Sequence, residues 1–217
     1  MSRAALAVVL VAGAAHARPR ADNMPRGFTW PPSRAMVAAE KACEAKLDEL
    51  GVTWQPATAK GHVVDPIIIP DGQIGGIAYV ALHAKTPPVM DCQLAVALAT
   101  LAPHLHELGV REIHVGSTYR WSKVRVGGKT KNMLSRHALG LAMDVVSFVD
   151  DSGREAVVKR DYKHGDDLLL AIERAIDESG TFRLVLTPKN DPISHKDHFH
   201  VEANPDYAAS TDERPRI

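Results

Sequence analysis

The order of segments along this 217-residue chain predicts an α+β fold, a small and mainly antiparallel sheet flanked by helices. Three observations carry that expectation. Apolar residues recur at helical spacing near the front, in the middle and in the last third. Short β-prone runs fill the intervals. The length suits one domain with a real core rather than two domains with linkers.

The chain opens with Met-Ser-Arg and an apolar run from Ala4 to Ala15, the charged start and short hydrophobic stretch of a secretory signal. Ala15 and Ala17 supply the small-x-small pattern for cleavage after Ala17, and the run is too short to span a bilayer. A frayed N-terminal helix is the alternative. Residues 1–17 are thus expected to be a signal peptide, making the mature chain periplasmic or secreted. Residues 18–33 are rich in Pro, Arg and Gly and are expected to form a flexible arm. Residues 34–207 form the single expected domain and 208–217 a polar tail.

Within the domain, Val37, Ala38, Ala42, Leu47 and Leu50 predict a helix over Ala35–Leu50, stopped by Gly51. Val63–Ile69 and Ile77–Leu82 predict a hairpin or a pair of short strands. Leu94, Val96, Ala97, Leu101 and Leu105 predict a second helix over Asp91–Leu108, ending at Gly109. Strands are expected at Glu112–Ser117 and Leu141–Val149, a helix from about Asp166 to Glu178, and strands at Phe182–Leu186 and His198–Glu202. Cys43 and Cys92 lie in different predicted helices, either bonded or as two separate buried thiols. A bond closing about fifty residues would restrict the unfolded chain by roughly 4 kcal/mol on the chain-entropy estimate.

Lys+Arg and Asp+Glu are equal at 26 each, so no global field favours nucleic acid or an anionic membrane. No nucleic-acid partner and no membrane span are expected. The oligomeric state is not set by the sequence, with a monomer the expectation.

Chemistry concentrates in Ser135–Asp144 and His195–Glu202. In a strand, His198, His200 and Glu202 would share one face, while Phe199 and Val201 enter the core, which places two imidazoles side by side on an accessible face. Asp144 interrupts an apolar strand and would be costly to bury without a partner. A metal is such a partner. His137, seven residues earlier, sits in a connection that Gly140 can turn so that the two side chains converge. His137, Asp144 and His200 around Zn²⁺ would leave an open position for water and could activate it. Asp197, three residues before His200, is assigned as general base, and His198 as a hydrogen-bond donor to the developing oxyanion. His195 is more often a solvent-facing loop residue than a participant. Glu202 either orients a ligand or is a plain exposed strand residue.

The S-x-H-x-x-G-x-A-x-D run followed by D-H-x-H resembles the zinc site of the D-Ala-D-Ala metallopeptidase, lysostaphin and hedgehog superfamily, and most closely the bacterial extensin-like C-terminal domain. The resemblance implies a zinc site on the sheet, the ligands His137, Asp144 and His200, and cleavage of an amide bond in peptidoglycan peptides. Ser117-Thr118-Tyr119-Arg120 resembles the S-x-Y-R segment of those carboxypeptidases, which gives Arg120 a role on a substrate carboxylate or the oxyanion. Arg120 could instead pair with Glu112 or Asp150. Tyr119 stands where extensin-like domains often carry cysteine. Tyr119 and Ser135 join Arg120 as substrate-binding residues, although Ser135 could be a turn-former only. The rival to hydrolysis is a non-catalytic, zinc-containing module that binds the cell wall. A third reading is a disulfide-bonded structural domain without metal.

Overall fold

The computed structural model of the chain describes residues 23–208 except 85 and 127. The expected signal peptide and all but the first residue of the expected tail lie outside the described residues.

The elements, in chain order, are α1 (Arg34–Glu49), β1 (Gln55–Pro56), β2 (Pro66–Ile68), β3 (Gln73–Ile74), β4 (Ile77–Ala81), β5 (Met90–Asp91), α2 (Cys92–Glu107), β6 (Val110–Ser117), β7 (Lys123–Val126), β8 (Lys129–Leu134), β9 (Ala142–Asp150), β10 (Glu155–Val157), α3 (Val158–Asp161), α4 (Asp167–Ser179), β11 (Phe182–Leu186) and β12 (Phe199–Ala203). The α+β class stands. A seven-stranded sheet runs β11-β12-β9-β6-β4-β3, with β10 also pairing β9. Every pairing in it is antiparallel except β4 with β6.

The three longer helices, α1, α2 and α4, begin where side chains supply caps. Ser33 Oγ accepts from Met36 N at 3.2 Å to start α1, Asp91 Oδ1 from Gln93 N at 3.0 Å to start α2, and Asp166 Oδ1 from Leu169 N at 3.1 Å to start α4. Leu94, Leu98, Leu101 and Leu105 of α2 are buried in one core with Ile113 and Val115 of β6, Met143 and Val145 of β9, and Phe199 and Val201 of β12. The opposite face of the central strands is therefore free to carry polar groups. Cys43 and Cys92 are bonded, tying α1 to the start of α2.

Of the two alternatives for Val63–Ile69 and Ile77–Leu82, the structure has the pair of short strands and not the hairpin. Strand β2 joins a small separate sheet, β1-β2-β5, while β4 pairs with β6 in the main one. The exposed hairpin β7–β8 was not expected, because its residues alternate charged and apolar groups too briefly to announce a buried face. Of the expected arm, residues 23–33 have no helix or strand, yet they lie against the domain. Met24 and Phe28 pack on the core and Asn23 Nδ2 donates to the Leu134 carbonyl at 2.6 Å.

Among the described residues, no helix is long and apolar enough to cross a membrane.

Candidate metal centre

Antiparallel register assembles the centre. Asp144 on β9 lies opposite both His200 on β12 and Ser117 on β6, so the three form a row across adjacent strands. Alternation sends Met143, Val145, Phe199 and Val201 to the core and leaves Asp144, His200 and Glu202 on the other face. His137 arrives from a single helical turn, Arg136–Leu139, closed by Gly140 at φ 70°. A Cβ at Gly140 would come within 2.8 Å of the Asp91 amide nitrogen, so both the turn and its seat demand glycine. Buried Arg136 anchors the same turn by donating to the carbonyls of Asn23 and Ala203.

Three donor atoms converge. His137 Nε2 is 3.0 Å from Asp144 Oδ1, His200 Nδ1 is 2.9 Å from the same oxygen, and the two nitrogens are 3.1 Å apart. His137 is 1 % exposed, and Asp144 and His200 are each 5 % exposed, so the expected accessible face is instead a nearly closed one. The three residues form a group able to hold a metal ion.

The remaining ring nitrogens decide which atoms face inward. His137 Nδ1 lies against the Thr118 carbonyl, which can only accept, so Nδ1 carries the proton and Nε2 presents its lone pair. His200 Nε2 lies 3.0 Å from Glu202 Oε1, and Arg183 grips the other Glu202 oxygen through Nε (2.9 Å) and Nη2. Burial works against ionising Glu202, but His200 and Arg183 outweigh it and bring the carboxyl down to about 2. Glu202 is therefore an acceptor, and His200 Nδ1 is the nitrogen left facing Asp144. Two imidazole lone pairs and a carboxylate oxygen would repel one another unless a positive charge sits with them.

The electrostatics carry the same demand. Burial resists charge on His200, yet Asp144 and Glu202 push its pKa up to about 9. Burial holds the His137 value down. Burial alone would raise the Asp144 carboxyl, but the three imidazoles around it, His137, His198 and His200, hold it far below the ordinary carboxylate range.

Around this cluster the other expected site residues fall into two groups. Arg120 pairs neither with Glu112 nor with Asp150. Its Nη2 lies 3.3 Å from Asp144 Oδ2, with half of the side chain exposed. His198 Nε2 lies 3.4 Å from Asp144 Oδ1, is buried and lacks a hydrogen bond, while Nδ1 is 2.9 Å from Asp197 Oδ1. Among the described residues, Asp197 reaches the cluster only through His198. Ser135 lines the adjoining cavity, with its hydroxyl 2.6 Å from that of Ser122. Tyr119 points elsewhere, its hydroxyl against the Gly61 backbone.

Several participants had no assigned role. Ser117 Oγ donates to Asp144 Oδ2 at 2.7 Å. The Thr118 carbonyl is a backbone group and leaves no sequence signal. Arg183 could have been noticed as a cation inside the apolar run Phe182–Leu186. His195 is not a free loop residue: its ring packs beside His198 and His200, with centroids 5.1 and 4.9 Å away, and burial lowers its pKa to about 4. Arg183, His195, His198 and His200 border one cavity of about 680 Å³, which Arg120, Ser135, His137 and Glu202 also line.

No curated protein and no solved structure matches the chain. The profile of the family described as extensin-like protein C-terminus matches residues 41–210, a span that takes in both cysteines, the converging His137, Asp144 and His200, and the Asp197–His198 pair. The chain belongs to the extensin-like protein C-terminus family.

Proposed function

We propose that His137, Asp144 and His200 hold one zinc ion and that the chain hydrolyses an amide bond in peptidoglycan peptides. The observation that carries this reading is the inward convergence of two imidazole lone pairs and one carboxylate oxygen, each imidazole oriented from behind by an acceptor. That is how protein imidazoles are prepared for a metal. The donor set fits. Ligand atoms of a tetrahedral ion with bonds of about 2.1 Å stand about 3.4 Å apart, close to the spacings found between the three donors. The S-x-H-x-x-G-x-A-x-D and D-H-x-H motifs that supply these residues resemble those of the zinc site of the D-Ala-D-Ala metallopeptidase, lysostaphin and hedgehog superfamily.

When bound, zinc with two neutral imidazoles and one carboxylate supplies a Lewis acid that polarises a carbonyl and lowers the pKa of water. The chain's own residues do the rest. His198 Nε2 is the atom turned toward the cluster, and Asp197 fixes the ring by holding Nδ1. The proton released during attack passes to this Asp197–His198 pair, rather than to Asp197 alone. Arg120 offers a planar guanidinium beside Asp144, suited to a terminal carboxylate or to the oxyanion. Export to the periplasm or beyond, proposed from residues 1–17, would put the protein beside this substrate.

The experiment is mass spectrometry of muropeptides after incubation with wild type and His137→Ala. New cleavage products with wild type alone support hydrolysis. A protein that retains zinc and releases no product is instead the non-catalytic wall-binding module. The Asp197–His198 pair favours the enzyme, since a purely structural metal has no use for a proton acceptor.

A further inference from the structure

Residues 119–136 contain six Lys or Arg and no Asp or Glu, in a chain whose basic and acidic residues balance at 26 each. Arg120, Lys123 and Arg125 line the cavity beside the cluster, and Lys129 and Lys131 sit on β8. Arg136 is the exception, buried against backbone carbonyls. Lys123 Nζ donates to the Asn132 side chain at 2.8 Å. Among the described residues, no carboxylate pairs with Lys123, Arg125, Lys129 or Lys131. The cavity's own acids are engaged, Glu202 with His200 and Arg183, and Asp191 beside His195.

Cations held together on a narrow hairpin repel one another, and a bound anion relieves that repulsion. The same cavity is lined by Val124, Met133, Leu186 and Ile193, the last largely exposed. A phosphate polymer would leave those apolar groups unused. A peptide with several carboxylates and aliphatic side chains would engage both kinds of wall.

We infer that the β7–β8 hairpin is the docking wall for an acidic peptide, with Lys123 and Arg125 taking carboxylates that flank the bond presented to the cluster. The identity of that bond rests on the peptidase reading. The charge of the ligand rests on the cavity alone.

Calorimetric titration separates the two. The full chain, in chelator so that turnover does not intervene, is titrated with a short peptide bearing free side-chain and terminal carboxylates, and with its fully amidated counterpart. The acidic peptide binds on the order of tenfold more tightly than the amidated one, and its affinity falls as salt is added. Lys123→Glu with Arg125→Glu removes that preference, whereas Lys41→Glu on α1 leaves it intact. Both variants keep the wild-type unfolding midpoint, because these side chains are exposed. Equal affinity for the two peptides, no binding of either, equal effects of the two variants, or binding of a polyphosphate chain in place of the peptide each overturn the inference. Binding in chelator without turnover in zinc keeps it and removes the peptidase reading.

Discussion

His200 Nε2 donates to Glu202 Oε1 across 3.0 Å, and this bond turns His200 Nδ1 toward Asp144 Oδ1, 2.9 Å away. A residue two positions along the same strand thus selects the nitrogen that a metal would meet. Glu202→Gln leaves Arg183 facing a neutral amide and no longer fixes the imidazole tautomer. Zinc affinity should fall by about 10- to 100-fold, read by competition with a chromophoric chelator. Unchanged affinity would remove Glu202 from the centre.

Asp197 and His198 should behave as a unit. Asp197→Ala keeps its zinc, because Asp197 touches the cluster only through His198, and loses turnover by about 10²- to 10⁴-fold. His198→Ala should lose a similar factor, and the double variant little more. Additive losses in the double variant would mean that the two act separately.

How much of this was legible follows from which forces act locally. Asp144, His137 and His200 were readable because a charged or imidazole group in an apolar strand or at a glycine turn needs an explanation. The elements that fell close to the expected spans, β9, β11, β12, α1, α2 and α4, each follow a clear period. The support behind the imidazoles was less visible, since the Thr118 carbonyl has no sequence signature and Glu202 could equally have faced solvent. Sheet membership was not legible for Val63–Ile69, where pairing depends on partners, β1 and β5, of only two residues each. The docking of Tyr119 against Gly61 also depends on a distant loop that no spacing in the sequence announces.

The Cys43–Cys92 bond closes a long loop, its two ends 49 positions apart in the sequence. Cys43→Ser should lower the stability of the oxidised protein by about 4 kcal/mol on the chain-entropy estimate. Denaturant titration with and without reductant checks this. The wild type in reductant should match the variant.

Stability should also fall as pH rises. Glu40 is buried with its carboxyl hydrogen-bonded to Tyr207 and Gln93, and burial, with Asp91 nearby, pushes its pKa from 4.5 up to about 9. The folded state therefore keeps a proton that the unfolded chain releases above pH 4.5. That contribution is fully present below 4.5 and is lost progressively up to about pH 9. Asp91, raised to about 7, and Asp65, raised to about 6, add slopes of the same sign. Glu40→Gln should flatten the pH dependence of the unfolding free energy without abolishing it. An unchanged slope would show that Glu40 is ionised in the folded protein.

Whether His137, Asp144 and His200 form one metal site is read from zinc content per chain for wild type beside His200→Ala, by plasma mass spectrometry after exhaustive dialysis. About one zinc per wild-type chain, lost in the variant while the fold is retained, is the predicted result. Wild-type protein that takes up no zinc, or a His200→Ala variant that holds as much as wild type, would contradict the account.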